Sequence, residues 1–529
     1  MKKVEDKLSG SYYTPYRTVD FMKKYVRRER KIFGKVLEPS VGDGRFLDVF
    51  YDEECIQQLV GIELSKDKVE DLKGREYPEK VKIVIGDFLD FAEKTKEKYQ
   101  LIVGNPPYIN LKNMDGGSKE KAKKICQRLE LSDSLMKNMW VAFLLAAVSC
   151  LEKRGVIFFV LPLEFLQVQY AEKIRLFLEE RFNVIHILSF KERMFPEIEQ
   201  ESCLVYLTNE MENQPYINFE IYEKLDSDTP YYSSKIERNK PLKKWTNAVL
   251  ADEDIDLLNV FSLRYKKVSE LCNASPGIVT GANQEFILTR EQVKRLICDE
   301  YVLATIPKSS MLNRKLILSQ NIMDDLGEQG NRIYLLNLSD VGEALLSQPL
   351  KDYLGKIGEE KNAAGIKLKN RYKCRNRKPW YGVPIVRNGD LFFFKRYDRL
   401  PRVIVNEADA YTTDIAYNMR LYQGYDKKSM GFCFYNSLTL TQCEYCGRYY
   451  AGGVLELTPS EFKSLVIPYR KISNNDVKRL EKMFSENEAM DKIIGFVDSR
   501  TIAQEWEKEK IKRLDGIRKK LMERRLFSR

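Results

Sequence analysis

From Lys35 to about Leu207 the chain alternates short β-rich runs with helix-length amphipathic stretches, and that alternation leaves few folds open. It predicts an α/β domain on a largely parallel sheet. The strands read from the pattern are Lys35–Leu37, Leu59–Ile62, Val81–Ile85, Leu101–Val103, Val156–Val160 and Val184–Leu188, and Leu204–Leu207 closes a sheet of about seven. Trp140–Leu151 and Ala171–Arg181 carry apolar residues at three- and four-residue spacing, as crossover helices packed on a sheet do. The stretch 212–250 loses the rhythm and gathers Pro215, Asp226-Ser227-Asp228, Pro230 and Pro241, so it reads as an irregular connector. A domain boundary is therefore placed near residue 240, giving a first domain 1–240, a mixed α+β second domain 241–474, and a charged helical segment 475–529.

Chemistry-bearing residues cluster at the predicted strand ends. Glu38-Pro39-Ser40-Val41-Gly42-Asp43-Gly44 follows the first strand, and its glycines let a ligand approach the backbone. Taken alone, such a turn fits an ordinary tight bend equally well. Nineteen residues after Gly44, Glu63 ends the second strand, where a carboxylate accepts hydrogen bonds from two ribose hydroxyls. After the third strand, Gly86-Asp87-Phe88 supplies an acid and a ring for a base, although Asp87 in isolation is read more simply as a helix N-cap. After the fourth comes Gly104-Asn105-Pro106-Pro107-Tyr108. The prolines fix the backbone, so the Pro106 carbonyl and the Asn105 side-chain oxygen are two acceptors aimed at one amino group, with Tyr108 as a flat face for a planar base.

These motifs, in this order, resemble the S-adenosylmethionine-dependent amino methyltransferases of DNA, in particular the gamma-order, TaqI-like adenine-N6 enzymes. The resemblance spans roughly residues 9–208, with Thr14-Pro15 matching the family's first motif, and more loosely 275–470. It implies a Rossmann-like methyltransferase domain with a mainly seven-stranded sheet and a target-recognition domain. S-adenosylmethionine is the implied cofactor, held by Thr14, Glu38, Pro39, Ser40, Gly42, Gly44, Glu63, Asp87, Phe88 and Pro107. Asn105, Pro106 and Tyr108 are the implied catalytic residues, with Phe195 of Met194-Phe195-Pro196 stacking on the flipped base opposite Tyr108. Val41 departs from the cysteine often found there, and Met139-Trp140 from an aspartate-tyrosine pair. The implied reaction is site-specific methylation of adenine N6 in double-stranded DNA, within a restriction-modification or related DNA-marking system. Alternatives are transfer to cytosine N4, RNA guanine or protein glutamine, or a non-catalytic DNA-binding module. No Pro-Cys pair occurs to serve cytosine-C5 chemistry.

The net charge of +11 has a local source: between Lys367 and Arg402, twelve basic residues face two acids. Lys367, Lys369, Arg371, Lys373, Arg375, Arg377, Lys378, Lys395, Arg396 and Arg399, interleaved with Tyr372, Trp380, Tyr381 and Tyr397, suit a DNA backbone, the bland reading being a solvated basic face. Gly277–Asn283 and Ala451–Leu457 resemble parts of the family's recognition region. Cys443 and Cys446 have metal-ligand spacing but no second pair, so buried thiols are favoured over a zinc site completed by Cys374 and Cys433, and no metal is expected. His186 reads as a core residue. The terminal segment places Leu480, Met483, Ile493, Val497, Ile502, Trp506 and Leu514 at helical spacing and is expected to dock on its own domain. The longest apolar runs fall short of a membrane span, and Met1–Lys7 lacks a signal-peptide core. The expectation is a cytoplasmic, nucleoid-associated bacterial protein acting as a monomer on DNA, with any cognate restriction endonuclease on another chain.

Overall fold

The structure, a computed structural model, describes residues 13–29, 34–195, 201–209 and 214–527. The chain forms two compact units. The first is Met1–Glu253 with Ala451–Gly453 and Glu523–Arg529, and the second Asp254–Tyr450 with Val454–Met522. No helix among the described residues is long and apolar enough to cross a membrane. The ten cysteines are free thiols.

The first unit is built on one sheet of strands β1 (Lys35–Glu38), β2 (Gln58–Glu63), β3 (Val81–Ile85), β4 (Tyr99–Gly104), β5 (Leu151–Pro162), β6 (Val184–Phe190), β7 (Ser202–Thr208), β8 (Tyr216–Tyr222) and β9 (Tyr232–Glu237). Their order is β3-β2-β1-β4-β5-β7-β6-β8-β9. The first five pair in parallel, and β7 runs antiparallel between β5 and β6. The chain order reverses between β1 and β4, the switch point where open α/β sheets bind ligands beyond the strands' carboxyl ends. Central strands are apolar on both faces because helices cover both: Leu101, Ile102, Val103 and Val156 to Leu161 are wholly buried. The helix Met139–Cys150 is apolar nearly all round and almost entirely buried for the same reason.

All seven strands read from the sequence form, and two more extend the edge. The connector assigned to 212–250 is thus corrected: β8 pairs in parallel with β6, and β9 antiparallel with β8. Its breakers punctuate these strands instead of replacing them. Pro215 immediately precedes β8, and Asp226-Ser227-Asp228 and Pro230 make the turn into β9. Beyond residue 240 the chain stays tied to this unit, as Arg175 donates to the Lys243 carbonyl at 2.8 Å and the Trp245 indole to Glu179 at 2.6 Å. The unit's main body accordingly ends at Glu253, where the sequence reading set its boundary near 240. His186 is a satisfied core residue, 2.6 Å from the Tyr25 hydroxyl and 3.2 Å from that of Tyr216, and burial lowers its pKa to about 4.

The second unit is mixed α+β. Its largest sheet orders Cys272–Pro276, Ala416–Leu421, Leu391–Phe394, Arg402–Asn406 and Ile317–Leu318, mostly antiparallel. The terminal segment forms helices Asn474–Ser485, Met490–Arg500 and Lys508–Phe527. As far as Met522 it docks on this unit, with Trp506 stacked on Phe261 at 4.1 Å and Asp498 accepting from the Ser437 backbone N–H at 2.8 Å, and its last residues, from Glu523, belong to the first unit.

Candidate functional site

A cavity of about 680 Å³ opens beyond the carboxyl ends of β1 to β4. Gly42 and Gly44 follow β1 with φ of 60° and 88°, conformations that glycine adopts without steric cost. At Gly44 a Cβ would also lie 2.4 Å from Leu72, so this residue shapes the turn from behind and does not line the cavity. Glu63 ties the turn to the next loop, its Oε2 accepting from the Gly42 N–H at 2.8 Å and its Oε1 from the Ser65 N–H at 2.9 Å. Each oxygen keeps a further lone pair for a ligand hydroxyl.

Glu38 is wholly buried and lines the same cavity. Among the described residues neither carboxylate oxygen has a hydrogen-bond partner. Burial, then the negative charges of Asp43, Glu63 and Asp48, push its pKa well above the usual carboxylate range. An unpaired buried acid is costly, and the group that relieves it is a cation. Thr14, Pro39 and Ser40 complete this end of the cavity, the Thr14 carbonyl accepting from Arg45 at 3.1 Å.

After β3, Asp87 Oδ1 accepts from the Leu89 N–H at 2.8 Å, the N-cap that its type suggested. Its Oδ2 meets Lys121 Nζ at 2.8 Å. Asp87 therefore combines a cap, an ion pair and a place on the cavity wall. Phe88 packs on Phe143 at 5.1 Å, which makes an aromatic wall there. After β4, the Ser40 hydroxyl donates to the Asn105 carbonyl at 3.1 Å and locks the β1 turn to the Asn105–Tyr108 loop. The Tyr108 hydroxyl donates to the Val160 carbonyl at 3.1 Å, which fixes the ring, and burial raises its pKa. Asn105, Pro106, Pro107 and Tyr108 all line the cavity. Its acids suit a cationic group and a diol, its aromatic wall a planar base.

Phe195 is the exception. It is 7% exposed within the hydrophobic core and does not line the cavity, and Pro196 lies outside the described residues. Sequence reasoning also missed Leu64, 73% exposed at the rim, which being apolar and adjacent to Glu63 was a usable signal. Lys121, which pairs with Asp87, and the wall residues Asn113, Met114, Asp115 and Ser118 carried none.

In the second unit the basic run is less uniform than its sequence suggests. Lys367 and Lys369 both pair with Glu359, Arg371 lies 3.8 Å from Glu285, and Arg396 lies 3.0 Å from Glu456. Lys373, Arg375, Lys378 and Arg399 are exposed and Lys395 half-buried. Arg377 turns inward, donating to the Thr280 carbonyl at 2.8 Å and the Val279 carbonyl at 2.9 Å. The aromatic interleaving is corrected too: Tyr381 and Tyr397 are buried and Trp380 packs against the core, which leaves only Tyr372, 66% exposed, at the surface. Cys374, Cys433 and Cys443 are buried, and among the described residues no three His, Cys, Asp or Glu side chains are grouped to hold a metal ion.

Comparison with known proteins matches both parts of the chain. Residues 47–195 match the family model "Eco57I restriction-modification methylase", and residues 242–502 that of "Type II methyltransferase M.Eco57I, C-terminal domain". The Type II methyltransferase M.AccI of Acinetobacter calcoaceticus is 22% identical over 71% of this chain and 68% of its own. M.HindII of Haemophilus influenzae is 21% identical over 72% of each. Among solved structures, the Type IIL restriction-modification enzyme MmeI in complex with DNA superposes with a TM-score of 0.56 at 13% identity, covering 96% of this chain and 75% of that one, a likeness of fold. With separate family models of restriction-modification methyltransferases falling on the cavity-bearing unit and on the second, and with Type II methyltransferases among its relatives, the comparisons support a DNA methyltransferase family for this chain.

Proposed function

We propose that this protein transfers a methyl group from S-adenosylmethionine to the exocyclic N6 of adenine in double-stranded DNA, within a restriction-modification system. The supporting observation is that one cavity gathers the unpartnered Glu38 carboxylate, Glu63 and Asp87 beside the Asn105–Tyr108 loop. In this reading Glu38 faces the cofactor's ammonium, Glu63 its ribose, and Asp87 with Phe88 its adenine, while Thr14 lies at the carboxylate. The bound cofactor supplies a methyl group on a sulfonium.

The chain's own contribution is alignment. The exocyclic nitrogen is a poor nucleophile because its lone pair is delocalised into the ring. The Asn105 side-chain oxygen and the Pro106 carbonyl accept hydrogen bonds from its two N–H groups, favour a pyramidal nitrogen and direct the lone pair at the methyl carbon, and the methylated nitrogen then sheds one proton to solvent. Extruding the base costs about a few kcal/mol, which stacking on the anchored Tyr108 ring offsets. With Phe195 in the core, that stacking is assigned to Tyr108 alone. The protein works in the cytoplasm as a monomer on DNA, and the matching endonuclease is a separate chain.

Incubation with unmethylated genomic DNA and methyl-labelled S-adenosylmethionine, followed by nucleoside mass spectrometry, tests this. Labelled N6-methyladenine at one short sequence is expected. N4-methylcytosine would move the target base, against which Asn105 weighs because the cytosine subclass usually has Ser there. Label on RNA or protein alone would overturn the reading.

A further inference from the structure

Two short pieces of the second unit, Gly277–Gln284 and the helix Tyr372–Arg375, are distant in sequence but meet, and the transfer chemistry uses neither. Gly281 has a φ of +79°, and a Cβ there would lie 2.9 Å from the Lys373 Cβ. The Arg377 guanidinium closes the junction with two parallel hydrogen bonds, to the Thr280 carbonyl at 2.8 Å and the Val279 carbonyl at 2.9 Å. Within the turn, the Thr280 hydroxyl accepts from the Ala282 N–H at 3.1 Å and bonds to the Asn283 side-chain oxygen. The turn is thereby fixed from behind, and Val279, Gly281, Asn283 and Gln284 are exposed in front. Beside them Tyr372, Lys373 and Arg375 are exposed.

That surface has the chemistry of a nucleic-acid reader. Asn and Gln amides match the major-groove edge of adenine, a small apolar side chain matches the thymine methyl, and exposed cations match phosphates. We infer that Gly277–Gln284 reads base edges of duplex DNA, that Lys373 and Arg375 hold the neighbouring phosphates, and that Arg377, although part of the same basic run, is a positioning residue that braces the reading turn. The inference rests on the proposed DNA substrate.

Salt dependence separates a brace from a phosphate contact, because each lost phosphate contact lowers the slope of log K against log salt by about 0.9. The full-length protein and its variants are titrated with a duplex carrying the sequence the parent methylates and with a shuffled duplex, over a range of salt. Arg377→Ala is expected to cut discrimination between the duplexes by about tenfold or more, as a lost base contact does, with the slope unchanged. Arg377→Lys keeps the charge but not the two-pronged geometry and is expected to behave likewise. Lys373→Ala and Arg375→Ala are expected to weaken both duplexes alike and lower the slope. Gln284→Ala leaves the brace intact and should lose discrimination alone, so the assignment stays testable if Arg377→Ala does not fold. A discriminating Arg377→Lys with normal affinity, or an Arg377→Ala that weakens both duplexes with a reduced slope, would overturn it. A parent that labels no DNA overturns the transferase reading as well, whereas a labelling parent with fully discriminating variants overturns this inference alone.

Discussion

The two units use charge in opposite ways. In the first, the cavity is walled by acids brought together by the fold, and one of them, Glu38, is buried with no hydrogen-bond partner among the described residues. In the second, about half of the basic run is balanced within the unit, by Glu359, Glu285 and Glu456, or is turned onto backbone carbonyls as at Arg377. A buried unpaired charge is retained only where something else relieves its cost, so it marks a ligand site more sharply than an exposed cluster does. A surface cluster must be sorted contact by contact before it says anything about binding.

The largest expected effect lies in the first unit. Asn105→Ala should reduce methyl transfer by about three orders of magnitude or more, since it removes an acceptor that aligns the nucleophile. Cofactor affinity, measured by calorimetry, should change by less than about twofold. Near-normal turnover would detach the Asn105–Tyr108 loop from the chemistry and leave the cavity as a binding site only.

A smaller effect sharpens the contrast itself. Glu38→Gln should weaken cofactor binding by about ten- to a hundredfold, the range for losing a charged hydrogen-bonded contact. The same substitution should stabilise the cofactor-free protein, and the sign follows from linkage. The folded-state pKa of Glu38 lies above its unfolded value, so stability is full below the unfolded pKa and is lost as pH rises towards the folded one. Thermal melts of the empty protein should therefore show Glu38→Gln gaining on the parent as pH rises from 4.5 upward. Cofactor binding to the parent should release a proton, seen as a dependence of the binding heat on buffer ionisation enthalpy. A variant that melts below the parent at every pH would mean that Glu38 has a structural partner.

The same contrast explains what was legible in the sequence. Glu38, Gly42, Glu63 and Asn105–Tyr108 sit where strands end, and strand periodicity locates strand ends, so their convergence followed from topology. β8 and β9 were hidden because prolines and aspartates that mark their ends look, in one dimension, like a loop. Phe195 was misplaced because a motif gives order along the chain but not which way a ring turns, and here the core claims it. Tyr381, Tyr397 and Arg377 failed likewise: interleaving with cations does not say which face a side chain presents, and hydrophobic burial or unsatisfied carbonyls took them inward.

The smallest effect tests the second unit's half of the comparison. Lys367 and Lys369 flank the single carboxylate of Glu359, whose pKa they lower to about 2 through their hydrogen bonds. All three side chains are substantially exposed, so the pairing contributes little to stability and is screened by salt. Its consequence is for DNA: a carboxylate between two lysines repels phosphate and holds their ammonium groups. Glu359→Gln should release both, raise non-specific duplex affinity a few-fold at low salt, and steepen the salt slope by up to about 0.9 for each lysine that reaches a phosphate. A fluorescence-anisotropy titration of a shuffled duplex at several salt concentrations measures both quantities. An unchanged slope would mean that these lysines form a solvated face serving Glu359 and not DNA, and would confine the DNA surface to Lys373, Arg375 and their neighbours.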